Sequence, residues 1–310
     1  MGMEDDDARS PPTSIFSYGS LRARDISHRI DMRLFVFLTL FTIGSPCSWA
    51  ADQLSMMVDN YFALRDVPPW TASSTYEEAV RVQDAFVDSL IPKLGKPVGF
   101  KVGLVTKEAQ DRFNISHPVR GRLLSKMLLP NDSTVPLQYG VRPVCEADLI
   151  VVVKDAAINR AENLTQALHS LKEVVAFIEL ADSFVATNPP VTAVALTAAN
   201  VGARLGVLGE RLTLKTNPEF LNALAQMRVN VRDDSGADLG EGQGNAILSH
   251  PLNAVLWLVE DLKQSGQKLR AGDLLSLGSI KAFTPKAGQR VTVTYQGLPR
   301  GSIKASVRFQ

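Results

Sequence analysis

Glu146-Ala147-Asp148 opens an apolar run that continues as Leu149-Ile150-Val151-Val152-Val153. Side chains alternate along an extended strand, so both acids project from one face, and two anions side by side need a cation. A third carboxylate, Glu179, closes the apolar stretch Phe177-Ile178-Glu179-Leu180-Ala181-Asp182. A lone charge buried there would be costly unless paired or bound to a metal. Three oxygen ligands with no histidine nearby point to Mg2+ or Mn2+ rather than zinc. Taken alone, Glu-x-Asp also fits a solvated strand edge, and the pattern by itself is weak.

Strands and helices must position these groups. Residues 98–104 (Val98-Gly99-Phe100-Lys101-Val102-Gly103-Leu104) read as a short strand flanked by glycines, which let another group approach the backbone. A brief helix is expected over 106–112, and strands over 136–138, 144–154 and 174–180. A helix over 161–172 between the last two would take Asn159 or Asn163 as its cap. Further strands are expected at 201–208, 212–215, 227–233 and 274–277, with a closing hairpin of 290–295 and 302–309. Pro251 to Gln264 is the best helix in the chain, with proline in its first turn and Gly266 beyond its end. Two helices are expected between residue 51 and about residue 94, the second starting at Ser73-Ser74-Thr75. Strands with segregated helices argue for an α+β fold over a parallel βαβ sheet.

With 310 residues, 45% hydrophobic, 21% charged and a net charge of +1, the composition is that of a globular, enzyme-sized protein. The charge balance excludes a global field for nucleic acid or acidic membranes. Two cysteines, Cys47 and Cys145, exclude a disulfide framework and a cysteine-rich zinc site. Residues 34–43 form an apolar run of about ten, short of the roughly 20 that cross a bilayer. Met32 and Arg33 precede it and Ser48-Trp49-Ala50 follows, the form of a secretory signal cut after Ala50. Residues 1–50 are thus expected to be an upstream extension plus signal, with a true start at Met32. Residues 51–310 would then be one exported, periplasmic domain, helical over 51–95 and strand-rich over 96–310.

Five motifs occur in order: Gly99-Phe100-Lys101-Val102-Gly103-Leu104; Glu146-Ala147-Asp148; Glu179-Leu180-Ala181-Asp182; Leu248-Ser249-His250-Pro251-Leu252-Asn253 with Trp257; and Gly272-Asp273-Leu274 with Gly278-Ser279. Together they resemble the 2-keto-4-pentenoate hydratase branch of the fumarylacetoacetate hydrolase superfamily across about residues 75–310. The resemblance implies a mixed β-roll fold of the fumarylacetoacetase C-terminal-like type with peripheral helices. It also implies a divalent metal, Mg2+ or Mn2+, held by Glu146, Asp148 and Glu179, with Asp148 where the hydratases usually carry glutamate. Lys101 would be the active-site lysine. The expected reaction is water addition to a 2-hydroxy-2,4-dienoate through a metal-stabilised enolate. The same chemistry serves acylpyruvate C–C hydrolysis and 2-keto acid decarboxylation, and a keto-acid-binding protein without turnover is a further alternative.

Two departures bear on that choice. Where the hydratases show Pro-Asp-aromatic-Gly, this chain has Pro118-Val119-Arg120-Gly121; where they tend to carry Asp-Asn-x-Ser, it has Ala199-Asn200-Val201-Gly202. Two polar contributors to proton transfer are missing. Arg120 could clamp a second substrate carboxylate or be an exposed loop arginine. His117 is the nearest substitute acid or base, Asp182 could orient a ligand or the lysine, and Asn200 could bond a substrate oxygen or close a turn. His250 is expected to cap or pack at the helix start, and Gly240-Glu241-Gly242-Gln243-Gly244 to be a flexible loop near the site mouth. The expected partner is a small 2-keto or 2-hydroxy-dienoic acid, with no nucleic acid, no stable membrane insertion after cleavage and homo-oligomerisation as the symmetric default.

Overall fold

The computed structural model describes residues 46–70 and 75–310, all within one compact unit, Gly44–Gln310. The extension, Met32, the apolar run 34–43 and the helix-start residues Ser73 and Ser74 lie outside the described residues. Among the described residues no helix is long and apolar enough to cross a membrane.

The helices are α1 (Pro46–Phe62), α2 (Tyr76–Leu94), α3 (Lys107–Arg112), α4 (Leu164–His169), α5 (Ala193–Ala198), α6 (Pro218–Gln226) and α7 (Pro251–Gln264). The strands are β1 (Pro97–Gly103), β2 (Val119–Leu124), β3 (Leu128–Pro130), β4 (Ser133–Val135), β5 (Pro143–Val153), β6 (Leu171–Asp182), β7 (Leu205–Thr213), β8 (Arg228–Asp233), β9 (Asp238–Gln243), β10 (Leu274–Ser276), β11 (Lys281–Phe283), β12 (Arg290–Leu298) and β13 (Gly301–Phe309). One sheet runs β2-β1-β10-β5-β6-β7-β3, with β11 also on β5, and a second runs β4-β13-β12-β8-β9. Parallel pairs β1/β10, β3/β7 and β4/β13 stand among antiparallel ones, giving the mixed α+β architecture expected from the sequence.

Local chemistry accounts for the elements around the site. The Thr75 hydroxyl accepts from the Glu78 N–H at 3.2 Å while the Thr75 N–H donates to Glu78 at 3.3 Å, a reciprocal cap that starts α2. At the start of α7, Nδ1 of His250 accepts from the Leu252 N–H at 3.0 Å, so His250 is a cap as expected. Leu252, Val255, Leu258 and Leu262 turn one face of that helix into the core. β5 and β6 are apolar on both faces because both are covered. Tyr295 of β12 reaches across the two sheets, its hydroxyl bonding the carbonyls of Phe177 (2.8 Å) and Asp148. The second sheet is thereby fastened to the two strands that carry the acids.

Several boundaries differ from expectation. The strand expected at 136–138 ends at Val135, because Pro136 lacks the N–H that a ladder requires. The helix expected over 161–172 is only α4, capped by Asn163 (Oδ1 accepts from the Gln166 N–H at 3.0 Å); by Leu171 the chain is already in β6. The strands expected at 201–208 and 212–215 are one strand, β7, preceded by a 3-10 turn at Asn200–Gly202. Residues 240–243, expected as a flexible loop, lie in β9, paired along β8. β9 still lies beside the site, since a Cβ on Gly242 would come within 2.7 Å of Ile280.

Candidate active site

Glu146 of β5 and Glu179 of β6 are directly opposite each other in the antiparallel ladder. Side chains so placed share one face about 5 Å apart, where like charges repel. Both line a cavity of 500 Å3 together with Lys101, Asp182, Ser279 and Lys281. The curl of the sheet brings the buried Lys101 of β1 onto them, in ion-pair contact with Glu179, and its Nζ also donates to the Val201 carbonyl at 2.9 Å. A Cβ on Gly121 would meet the Asn200 carbonyl at 2.8 Å and Lys101 Cγ at 3.0 Å, so only glycine lets the lysine stem pass β2.

Asp148 takes a different course from Glu146 although it shares its face. Oδ1 accepts from the N–H groups of Gly278 (3.0 Å) and Leu149, and Oδ2 from the Ser276 hydroxyl. Its carboxylate is fully buried and not part of the cavity lining, and among the described residues no three His, Cys, Asp or Glu side chains converge as a preformed metal set. Of the three expected ligands, Glu146 and Glu179 line the cavity and Asp148 lies beneath its wall. Asp148 thereby holds the turn that follows β10 through the Gly278 N–H. That turn carries Ser279, whose side chain hydrogen-bonds Glu146.

The electrostatics fit a cation. Burial first, then the Glu179 charge, raises the Glu146 carboxyl to about 7. Burial and Glu179 likewise push Asp148 up to about 8. Glu146 and Glu179 beside one lysine ammonium, with Asp148 buried beneath them, leave negative charge that protons or a metal must balance. Raised carboxyls release their protons in the unfolded chain at lower pH than in the fold. Their stabilisation is therefore complete below about pH 4 and is lost as pH rises through 7 to 8. Metal-free protein should accordingly lose stability between pH 5 and pH 8, by up to about 1.4 kcal/mol per pH unit for each such carboxyl. Thermal melts in chelator against saturating Mg2+ test this, and parallel, flat profiles in the two buffers would refute it.

The remaining sequence candidates separate. Asp182 lines the cavity and accepts from Arg204 Nε at 2.7 Å and from the Arg142 N–H at 2.9 Å, so its charge is already paired. Arg120 is neither a loop arginine nor a substrate clamp: β2 alternation turns it to the face opposite Gly121, where it is buried in an ion pair with Asp261 of α7 and donates to Ser265 Oγ at 3.1 Å. His117 is also outside the cavity lining, with its ring edge-on to Tyr76 at 5.1 Å and Nδ1 2.7 Å from the Pro118 carbonyl.

Asn200 spends its side chain on β2: Oδ1 accepts from the Arg122 N–H at 2.6 Å and Nδ2 donates to the Arg122 carbonyl at 3.0 Å. It thus seals the sheet's edge strand and presents the Val201 carbonyl to Lys101. Asn200→Ala would strand both backbone groups of Arg122, and we expect a loss of about 2–3 kcal/mol in urea unfolding. A change under about 0.5 kcal/mol would show that solvent replaces the clamp. Sequence reasoning missed Ser276, Ser279 and Arg204; the one signal for the first two was their place beside Gly278 in the last motif.

No protein-family model matches the chain. It is 29% identical over 210 residues to a 2-keto-4-pentenoate hydratase of Paraburkholderia phymatum, covering 67% of this chain and 77% of that one. It is 28% identical over 258 residues to the TodF product hydratase of Pseudomonas putida, covering 83% and 93%. Among solved structures, 4-oxalocrotonate decarboxylase from Pseudomonas putida G7, complexed with magnesium and adipate, superposes with a TM-score of 0.74 at 23% identity, over 85% of this chain and 98% of that one. The chain is therefore similar to the 2-keto-4-pentenoate hydratases, as its motifs suggest, and it shares the fold of 4-oxalocrotonate decarboxylase.

Proposed function

We propose that the protein is a divalent-metal-dependent hydratase of a small 2-hydroxy-2,4-dienoic acid. The observation that carries this is the Glu146–Glu179 pair facing across β5 and β6, with Lys101 over it, at the wall of a 500 Å3 cavity. Glu146 and Glu179 would hold Mg2+ or Mn2+, an all-oxygen site of the kind hard cations prefer. Asp148, which the motif resemblance also makes a ligand, is held beneath them by Ser276, Gly278 and the Leu149 N–H. When bound, the metal supplies Lewis acidity that favours the enolate of a 2-keto acid.

The chain's own residues do the rest. Lys101 holds a fixed positive charge beside the enolising oxygen, kept in place by the Val201 carbonyl. Ser279 orients Glu146, while Asp148 holds the turn that carries Ser279. With valine at 119, buried against Gly103, proton transfer would fall to Lys101 and Asp182, which line the wall beside the metal-holding Glu146 and Glu179.

The ultraviolet decay of a 2-hydroxy-2,4-dienoate, with and without Mg2+ or Mn2+, tests the reading, the product being weighed by mass spectrometry. A metal-dependent product heavier by one water is expected. Loss of carbon dioxide or cleavage of an acylpyruvate would reassign the reaction, and metal-dependent binding without turnover would make the protein a keto-acid binder. Export is the second part of the proposal, supported by Arg33, the apolar run 34–43 and Ser48-Trp49-Ala50. N-terminal sequencing of the product made in a bacterial host should find Ala51 in the periplasmic fraction, and an intact N-terminus in the cytoplasm would overturn it.

A further inference from the structure

The turn that holds Lys101 is one its own sequence does not favour. Lys101 Nζ donates to the Val201 carbonyl at 2.9 Å, and Asn200, Val201 and Gly202 stand in the left-handed region with φ of +53°, +51° and +65°. Glycine and asparagine tolerate that region. A β-branched valine does not, so the conformation persists only where contacts on both sides impose it. One such contact is the Asn200 clamp on Arg122 of β2. A second reaches α5, which runs into the turn: the Thr197 carbonyl accepts from Gln83 Nε2 at 2.7 Å.

Gln83 is the one polar residue in the buried stripe of α2, among Ala79, Val80, Phe86, Val87 and Leu90. An apolar side chain would suit that stripe better, because burying an amide costs free energy unless its groups are bonded. Both N–H groups are, since the same Nε2 donates to the Arg120 carbonyl at 2.7 Å. The amide oxygen has no partner among the described residues, and turning the amide over would set that oxygen against both carbonyls. The side chain is therefore spent on two donations, one to each of the segments that meet at Lys101. Arg120 and Arg122 flank Gly121, whose backbone the lysine stem crosses, and each is tied by a carboxamide, from Gln83 and from Asn200. Neither amide is in the cavity lining.

We propose that Gln83 is a positioning residue for Lys101. It joins the Arg120 and Thr197 segments and so fixes the gap, between Gly121 and the Val201 carbonyl, in which the ammonium stands beside Glu179. The consequence for turnover rests on the hydratase reading, which puts this ammonium at the enolising oxygen. Glu146 and Glu179 belong to β5 and β6, which carry neither of the Gln83 hydrogen bonds, so metal binding should be independent of it. A helix that brings no residue to the cavity thus takes part in placing the charge within it.

Two variants of the full chain test this: Gln83→Leu, which removes both donations at similar volume, and Gln83→Asn, which is shorter and reaches at most one carbonyl. Acetylation by limiting acetic anhydride, read by peptide mass spectrometry, compares the buried Lys101 with the exposed Lys263, while alkylation of the buried Cys145 on β5 reports any general opening. The ratio of Lys101 to Lys263 labelling should rise at least about fivefold in Gln83→Leu, with Cys145 as protected as in the parent protein. With the dienoate, kcat per Mg2+ site should fall about tenfold or more while KM and Mg2+ affinity stay within about twofold. Counting by Mg2+ sites removes any unfolded fraction. If Gln83→Leu does not fold, Gln83→Asn is read alone, with smaller changes in the same direction. Unchanged Lys101 labelling in a folded variant overturns the inference. So does a rise matched by Cys145, an equal loss of kcat and Mg2+ affinity, or failure of both variants to fold, each of which makes Gln83 a general support of the fold. A parent protein that binds Mg2+ but never turns the dienoate over would sink the hydratase reading instead, and the labelling would still decide for or against Gln83.

Discussion

Glu146→Gln is expected to lower kcat/KM for the dienoate on the order of 10^3-fold, about 4 kcal/mol of transition-state stabilisation. Glutamine keeps the shape and can still meet Ser279, so the loss would report charge. With Glu179 left alone on the wall, the site holds one carboxylate fewer for a hard cation, and Mg2+ affinity should fall alongside turnover. The same substitution should stabilise the metal-free protein at pH 8. The Glu146 carboxyl, raised to about 7 by burial and by Glu179, no longer has to be kept protonated or ionised beside a like charge. Activity and apo stability thus move in opposite directions, which a merely structural glutamate would not produce. Asp148→Asn is the contrast: it should cost stability through Gly278 and Ser276 while affecting metal affinity less. Equal losses of Mg2+ affinity in the two variants would mean that Asp148 leaves its hydrogen bonds when the metal enters.

How far the site could be read from sequence follows from which interactions are local. Alternation along 144–154 placed Glu146 and Asp148 on one face, and the apolar stretch ending at Glu179 marked the partner strand, because both signals are written within a few residues. The divergence of the two acids was not legible. It comes from Ser276 and Gly278, which are 128 and 130 residues from Asp148 in sequence. Arg120 shows the same limit: its partner Asp261 is 141 residues away, and nothing near Pro118 signals that β2 turns the guanidinium into the core. β9, glycine-rich and of low strand propensity, is a strand because β8 offers it a ladder, a tertiary decision that overrides local preference. Lys101 stood out by its apolar, glycine-flanked setting and by the motif. Its Val201 contact depends on a turn that Asn200 holds by bonding β2.

Lys101→Met should be the most destabilising single change at the site, costing about 3–5 kcal/mol in metal-free protein, because it leaves the buried Glu179 without its cation. Such a loss does not measure the worth of the ion pair, since most of it is the penalty for the orphaned carboxylate. The double variant Lys101→Met with Glu179→Gln removes both charges and should recover most of the lost stability, with a coupling of roughly 2–3 kcal/mol in the cycle. Activity should not recover, as the fixed charge beside the substrate and a metal-holding carboxylate are both gone. Mg2+ adds a further discriminator. A bound divalent cation replaces the missing ammonium opposite Glu179, so saturating Mg2+ should raise the melting temperature of Lys101→Met more than that of the parent protein. Strictly additive single and double variants would show that Lys101 and Glu179 do not depend on each other. A Mg2+ response no larger than the parent's would remove Glu179 from the metal site.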